Sequence, residues 1–341
     1  MAPVAKPSFY VPLVDITPFL QDPKGAAAQQ VIDDVREACK LTGFFLIKGH
    51  GVSPKLQNSV FEAAAKFFAL PIDVKLSLDA RKNTGFRGYD VMESQSYELE
   101  NGTPPQNGAG VLRDTKEGFF VSTDLPLDHP RVKGGRFLQG PNVWPKEELL
   151  SPKDFRVIVE EYLREMKRLS HVVLSLVAAT LPYGPDVFDD LEADDPMCLL
   201  RLLHYPPTPQ SKEGQRLGAG AHTDFGAITL LLQDEHPGLE VQDNETGEWH
   251  GVPPEKDSYV VNMADIMSII TGGGYKSSVH RVVNKNTEDR YSVVFFFDGK
   301  LDFKLNLLGE TGPVKNGFKK ALTLEEHVKA RMTGSYSVPQ N

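Results

Sequence analysis

Apolar residues recur at helical spacing in three places along the chain and alternate with polar ones over much of the rest. Positions 25–41 carry Val31, Val35 and Ala38 on one helical face. Ser53 followed by Pro54 supplies a cap and a first-turn residue for a second helix, whose inward stripe is Leu56, Val60, Ala64 and Phe67. The capping signal SPKD at Ser151 opens a long helix expected to reach about residue 181, with Ile158, Tyr162, Met166, Leu169, Val173 and Leu176 turned inward. Short strands are predicted at 11–16 and in GFFLIKGHG, and a last helix from Thr323, with Glu326 three residues on, stopping before Gly334.

From 199 to 303 the pattern shortens to β-prone runs separated by turn residues: LLRLLHY, AITLLLQ, LEVQ, SYVVN, SSVHRVV and YSVVFFF. Such a series predicts a sandwich or barrel, so the fold class is α+β, mainly β. Positions 81–150, rich in Gly, Pro, Asn and Asp, predict long irregular connections of the kind that border pockets. The expected organisation is an N-terminal α+β region at 1–150, a scaffold helix and connection at 151–192, a β core at 193–303 and a C-terminal helical segment at 304–341. There is no internal repeat.

Composition narrows the function. With 40% apolar residues the chain can bury a sizeable core, and 37 Lys and Arg against 46 Asp and Glu leave a net charge of -9 with no basic run. Nucleic acid is therefore not an expected partner. The two cysteines, Cys39 and Cys198, sit far apart in apolar segments and give neither a disulfide framework nor a thiolate cluster. The start lacks a signal-peptide pattern and no apolar run reaches spanning length, so a cytoplasmic protein without membrane association is expected. The pattern leaves oligomeric state open.

The candidate chemistry lies in AHTDFGAITLLLQ. In extended backbone, residues i and i+2 share a side, so His222 and Asp224 can converge. His280, in SSVHRVV, supplies a third donor far enough along the chain to return beside them. Two imidazoles and one carboxylate on one side of a metal leave its other positions open, a set that suits non-haem Fe(II). Ten residues past His280, Arg290 and Ser292 again share parity; a guanidinium inside a β core demands an anion, and its planar fork matches a carboxylate. A lone His-x-Asp is usually nothing more than the start of a strand, and only the five positions together specify a metal and a small acid.

Those five residues resemble the Fe(II)/2-oxoglutarate-dependent dioxygenases, in the branch related to isopenicillin N synthase and the plant flavonoid dioxygenases. GFFLIKGHGV, RLLHYPP and GGGYKSSVHRV are similar to that family's N-terminal strand, pre-core strand and approach to the distal histidine, and the likeness spans about 8–303. It implies a distorted double-stranded β-helix, or jelly roll, core with flanking helices. It also implies Fe(II) on His222, Asp224 and His280, and 2-oxoglutarate chelating the iron with its far carboxylate on Arg290, Ser292 and Tyr205. Dioxygen would be the oxidant and ascorbate a candidate reductant. A small-molecule substrate would be hydroxylated, desaturated or rearranged, with release of succinate and carbon dioxide.

One departure is Leu203, where many plant members have Asn; Arg201, on the parity of Tyr205, is then a contact for either cosubstrate or substrate. Continuing the alternation past Ser292 places Phe296 and Asp298 at the pocket mouth as expected substrate contacts. Arg87 and Tyr89 in GFRGYD read first as a solvent-facing turn and second as substrate-selecting loop residues, while His204 is expected to pack outside the core and His171 to be partly exposed on the long helix. Alternatives are an oxidase of the same fold that anchors its substrate's own carboxylate on Arg290, an ethylene-forming enzyme, and a non-catalytic β-sandwich binding protein.

Overall fold

A computed structural model describes residues 9–92, 96–97, 112–207, 217–309 and 322–335; positions 93–95 and 98–111 of the turn-rich stretch lie outside them. The strands in chain order are β1 (Leu13–Asp15), β2 (Phe44–Lys48), β3 (Gly88–Asp90), β4 (Ser96–Tyr97), β5 (Leu112–Arg113), β6 (Glu117–Ser122), β7 (Met197–Tyr205), β8 (Leu217–His222), β9 (Ile228–Gln233), β10 (Leu239–Gln242), β11 (Trp249–Gly251), β12 (Tyr259–Met263), β13 (His280–Val283) and β14 (Arg290–Gly299). They form a large sheet in the order β1-β2-β12-β9-β14-β7-β6-β3, a four-stranded sheet β11-β10-β13-β8, and the separate pair β4-β5. The two main sheets enclose one cavity, to which β2, β6, β7, β9, β12 and β14 contribute from one side and β8, β10 and β13 from the other. This is the two-sheet core of a jelly roll.

Alternation decides which face each side chain serves. Along β14, Val293, Phe295 and Phe297 join the main apolar core, whereas Arg290, Ser292, Val294, Phe296 and Asp298 line the cavity. The core lies on the outer side of the large sheet, where the helix Arg156–Ala179 packs against β9 and β14 and against the helix Pro54–Phe68. Tyr162, Met166, Leu169, Val173 and Leu176 are fully buried there, each contributing about 1.5–3 kcal/mol, while Ile158, expected inward, is only half-buried.

The caps act as their residues dictate. Ser53 Oγ accepts from the Leu56 amide at 3.1 Å, and Thr323 and Glu326 exchange hydrogen bonds at 2.8 Å and 3.2 Å in a capping box. Ser151 caps only the short turn Pro152–Asp154, and the long helix proper begins at Arg156. The expectation of irregular chain over 81–150 needs correction at β6, which pairs with β7 inside the large sheet from Glu117↔His204 to Ser122↔Leu199. The Gly- and Ala-rich β8 was equally hidden from periodicity, because it has few large side chains to alternate.

Candidate active site

Two cross-strand pairs, one in each sheet, build the polar part of the cavity. In the small sheet His280 of β13 stands directly opposite His222 of β8, with ring centroids 4.4 Å apart. Asp224 lies just past the end of β8, and its Oδ1 is 3.7 Å from Nε2 of each histidine. Each Nδ1 donates to a backbone carbonyl, His222 to Gly220 at 2.7 Å and His280 to Ser278 at 3.2 Å, so each Nε2 keeps a lone pair facing Asp224. Among the described residues this is the one His/Cys/Asp/Glu group whose donor atoms converge for a metal.

The large sheet orients the carboxylate. Thr229 and Asn262 are cross-strand partners on β9 and β12, and both reach Asp224 Oδ2, at 2.6 Å and 2.9 Å. One oxygen is thereby occupied and the other left towards the imidazoles. Burial raises the Asp224 pKa, but the facing His280 and His222 and these two donors outweigh it and hold it below the usual carboxylate range. Burial and the neighbouring His280 keep His222 neutral well below its ordinary pKa. Two imidazoles and a carboxylate form the donor set that a hard-to-borderline divalent ion such as Fe(II) takes.

In the large sheet Arg290 of β14 stands opposite Tyr205 of β7, its guanidinium carbon 4.7 Å from the ring centre. Arg290 is fully buried; Nε donates to His236 O at 3.1 Å and Nη2 to Gln233 Oε1 at 3.0 Å, while Nη1 has no partner among the described residues. A buried guanidinium nitrogen left unpaired costs on the order of 1–3 kcal/mol or more, so the site is built for an incoming anion. Ser292 shares the cavity wall with it. Tyr205 fits only because its neighbour on β8 is glycine: a Cβ on Gly218 would lie 2.8 Å from the ring.

These features coincide with a family signature. Residues 196–299 match the 2OG-Fe(II) oxygenase superfamily, and residues 11–147 match the N-terminal region of the non-haem dioxygenases in morphine synthesis. The chain belongs to the 2OG-Fe(II) oxygenase superfamily. Like its relatives, this dioxygenase uses Fe(II) and 2-oxoglutarate and oxidises a small molecule. It is 65% identical to the clavatol oxidase claD of Penicillium crustosum over 340 residues, 99% of this chain and 100% of that protein. It is 60% identical to the 2-oxoglutarate-dependent dioxygenase citB of Monascus ruber over 335 residues, 98% of each. Among solved structures, a full-length Neurospora crassa protein in complex with alpha-KG superposes with a TM-score of 0.79 at 25% identity, covering 97% of this chain and 98% of that one.

The remaining candidates of the dioxygenase divide. Arg201, Phe296 and Asp298 line the cavity with the histidines. Arg201, opposite Val294 on β14, pairs with buried Asp90 and lies 4.8 Å over the Phe120 ring. Arg87 and Tyr89 correct the expectation of an exposed turn: they are 0% and 1% exposed. The Arg87 guanidinium is tied to the carbonyls of Gly85 and Leu138 and is not on the cavity wall, so it braces Leu138, which is. His204 also corrects its expectation. It does face away from the cavity, but it is buried, stacked on Tyr291 and bonded to Glu117 and Asp289 at 2.8 Å each. His171 is exposed, as expected.

Sequence reasoning missed Thr229, Asn262 and Gln233, because their roles depend on which strands become neighbours. It also missed Lys116, which lines the cavity, is ion-paired with Asp114 and is pulled down by burial to about 8. A C-terminal helix from Thr323 was foreseen, but it runs through Gly334 to Ser335 instead of stopping before that glycine, and the place of Val328 and Met332 on the cavity wall was not foreseen.

Proposed function

We propose that His222, Asp224 and His280 hold the iron, that Arg290 with Ser292 and Tyr205 receives the far carboxylate of 2-oxoglutarate, and that Arg201, Phe296 and Asp298 face the substrate. The observation that carries the reading is Arg290 Nη1, buried and without a partner among the described residues, in the same cavity as the converging donors. Iron and 2-oxoglutarate together supply the oxidation, in which dioxygen is reduced as the cosubstrate loses carbon dioxide to become succinate. The chain's own groups do the positioning. The backbone carbonyls of Gly220 and Ser278 fix the histidine tautomers, Thr229 and Asn262 fix the carboxylate, and Gln233 and the His236 carbonyl hold the guanidinium in one plane. Phe44, Phe120, Phe225 and Phe296 add an apolar, aromatic part to the cavity lining.

A flat small molecule of the clavatol kind is the substrate class this reading favours, supported by the relative named clavatol oxidase and by the aromatic walls. No helix among the described residues is long and apolar enough to cross a membrane. The two buried free cysteines support a reducing, cytoplasmic setting. The test is an anaerobic titration of Fe(II) and 2-oxoglutarate, expected to give the visible charge-transfer band of a keto-acid chelate, followed by succinate release on adding clavatol and oxygen. A protein that never forms the band, or that releases no succinate from 2-oxoglutarate with any phenolic probe, contradicts the assignment.

A further inference from the structure

Asp298 presents its carboxyl to the cavity without a hydrogen-bond partner among the described residues. It is 5% exposed. A buried carboxyl without a donor is costly in an apolar wall, and such groups persist where a ligand completes them. Its placement is specific. A Cβ on Gly226 would lie 2.1 Å from Asp298 Oδ1, so only glycine at that position admits the carboxyl against the loop that carries Asp224 two residues earlier. The loop is itself held: the Asp224 and Gly226 carbonyls accept from the Asp265 and Ile266 amides at 2.9 Å each. Asp298 therefore stands on a rigid support next to the metal ligands.

Its position along β14 separates it from the cosubstrate end. Arg290 and Asp298 lie on the same strand face eight residues apart, roughly 26 Å at about 3.3 Å per residue. The same cavity is walled by Phe120, Phe225 and Phe296. Building on the functional reading above, we infer that Asp298 anchors the substrate through a hydroxyl group carried on an aromatic ring, and so selects phenolic substrates over their ethers and over acids. A hydroxyl meets the site's needs in either protonation state, since it donates to a carboxylate and accepts from a carboxylic acid. An ether can only accept, and a carboxylate group would face both Asp298 and Asp224.

The test uses the full chain with Fe(II) and 2-oxoglutarate under anaerobic conditions and two probes of the same shape, orcinol and its dimethyl ether, read by the change each causes in the chelate band. The wild-type protein is expected to bind orcinol at least about tenfold more tightly than the ether, the size of one hydrogen bond to an ionisable group. Asp298→Leu is expected to bring the two within about twofold of each other. Asp298→Asn, which keeps the shape and offers a weaker acceptor, is expected to lose at least about threefold of the preference. The chelate band is read in every variant, so failure of the band in the wild type counts against the iron and 2-oxoglutarate reading. Equal binding of the probes by the wild type, no binding of either, or an undiminished preference in Asp298→Asn or Asp298→Leu overturns the role of Asp298.

Discussion

Replacing Arg290 by lysine keeps a cation beside Ser292 and Tyr205 but removes the planar fork. In the native site the fork is fixed by His236 O at 3.1 Å, Gln233 Oε1 at 3.0 Å and the Tyr205 ring at 4.7 Å, which leaves Nη1 for the cosubstrate. An ammonium in the same place cannot satisfy those two acceptors and a carboxylate in one geometry. The loss is at least one charge-assisted hydrogen bond, about 1.5–3 kcal/mol, or about a 10- to 140-fold rise in the dissociation constant of 2-oxoglutarate. The part due to the far carboxylate is isolated by 2-oxovalerate, which keeps the keto acid and the chain length and ends in a methyl group. Anaerobic titration of the chelate band with both keto acids, in wild type and variant, gives the four constants of a cycle. Wild-type protein should prefer 2-oxoglutarate strongly, and Arg290→Lys should lose that preference by the factor above while binding 2-oxovalerate almost unchanged. A variant that weakens both keto acids equally would show that Arg290 maintains the cavity and does not read the carboxylate, and the assignment would fail.

Three further outcomes follow from other contacts. Thr229→Val and Asn262→Leu each remove one donor from Asp224 Oδ2, and each should weaken Fe(II) or Mn(II) binding by about 10-fold in calorimetric titration; unchanged affinity would count against the clamp. Glu117 is buried, which raises its pKa, but donors from His204, Lys75 and Tyr89 win and hold it below its ordinary value. Its stabilising contribution is thus fully present above the unfolded value of about 4.3 and fades as pH falls through the lower folded value. Glu117→Gln, which strands the buried Lys75 ammonium, should cost about 3–5 kcal/mol in urea unfolding at neutral pH, with the gap narrowing below about pH 4; a gap that widens in acid reverses the sign and refutes the account. Arg331→Ala removes the bond to Thr223 Oγ1 at 2.8 Å, the ion pair with Asp265 at 3.3 Å and the contact over Phe225 at 4.8 Å. Because Arg331 is largely exposed, under about 1 kcal/mol of stability should be lost, while the KM for substrate rises more than that for 2-oxoglutarate in succinate assays; equal changes would deny the C-terminal helix a place at the substrate end.

Legibility in the chain followed the reach of each physical rule. Parity along a strand placed His222 with Asp224, Arg290 with Ser292, and Phe296 with Asp298 on the cavity side, because side-chain direction in a strand depends only on the residue's own backbone. What parity leaves undecided is the covering on the opposite side. His204 was rightly turned away from Tyr205, yet its face is roofed by Phe68 and Tyr291 and furnished with Glu117, so it became a buried hydrogen-bonded group rather than an outer one. Arg87 failed for a similar reason: its flanking glycines read as a turn, and the chain at Leu138 that buries it comes from 51 residues away. Lys116 and Asp90 lay in a stretch whose turn-rich composition concealed that β3 and β6 complete the large sheet.

The division of the site between the sheets explains why so few residues carried so much of the reading. Each sheet contributes one directly opposed pair, His222 with His280 and Tyr205 with Arg290, so within a sheet the register alone brings the partners together. The link between the sheets is Asp224, which follows the small sheet's β8 in the chain but is gripped by Thr229 and Asn262 of the large one. An ion bound to both histidines and Asp224 would therefore join the two layers through the carboxylate. Register cannot reveal this third connection, since it depends on how two sheets face each other. The residues hidden from the sequence are accordingly those that hold one layer against the other, and the residues it exposed are those that belong to a single layer.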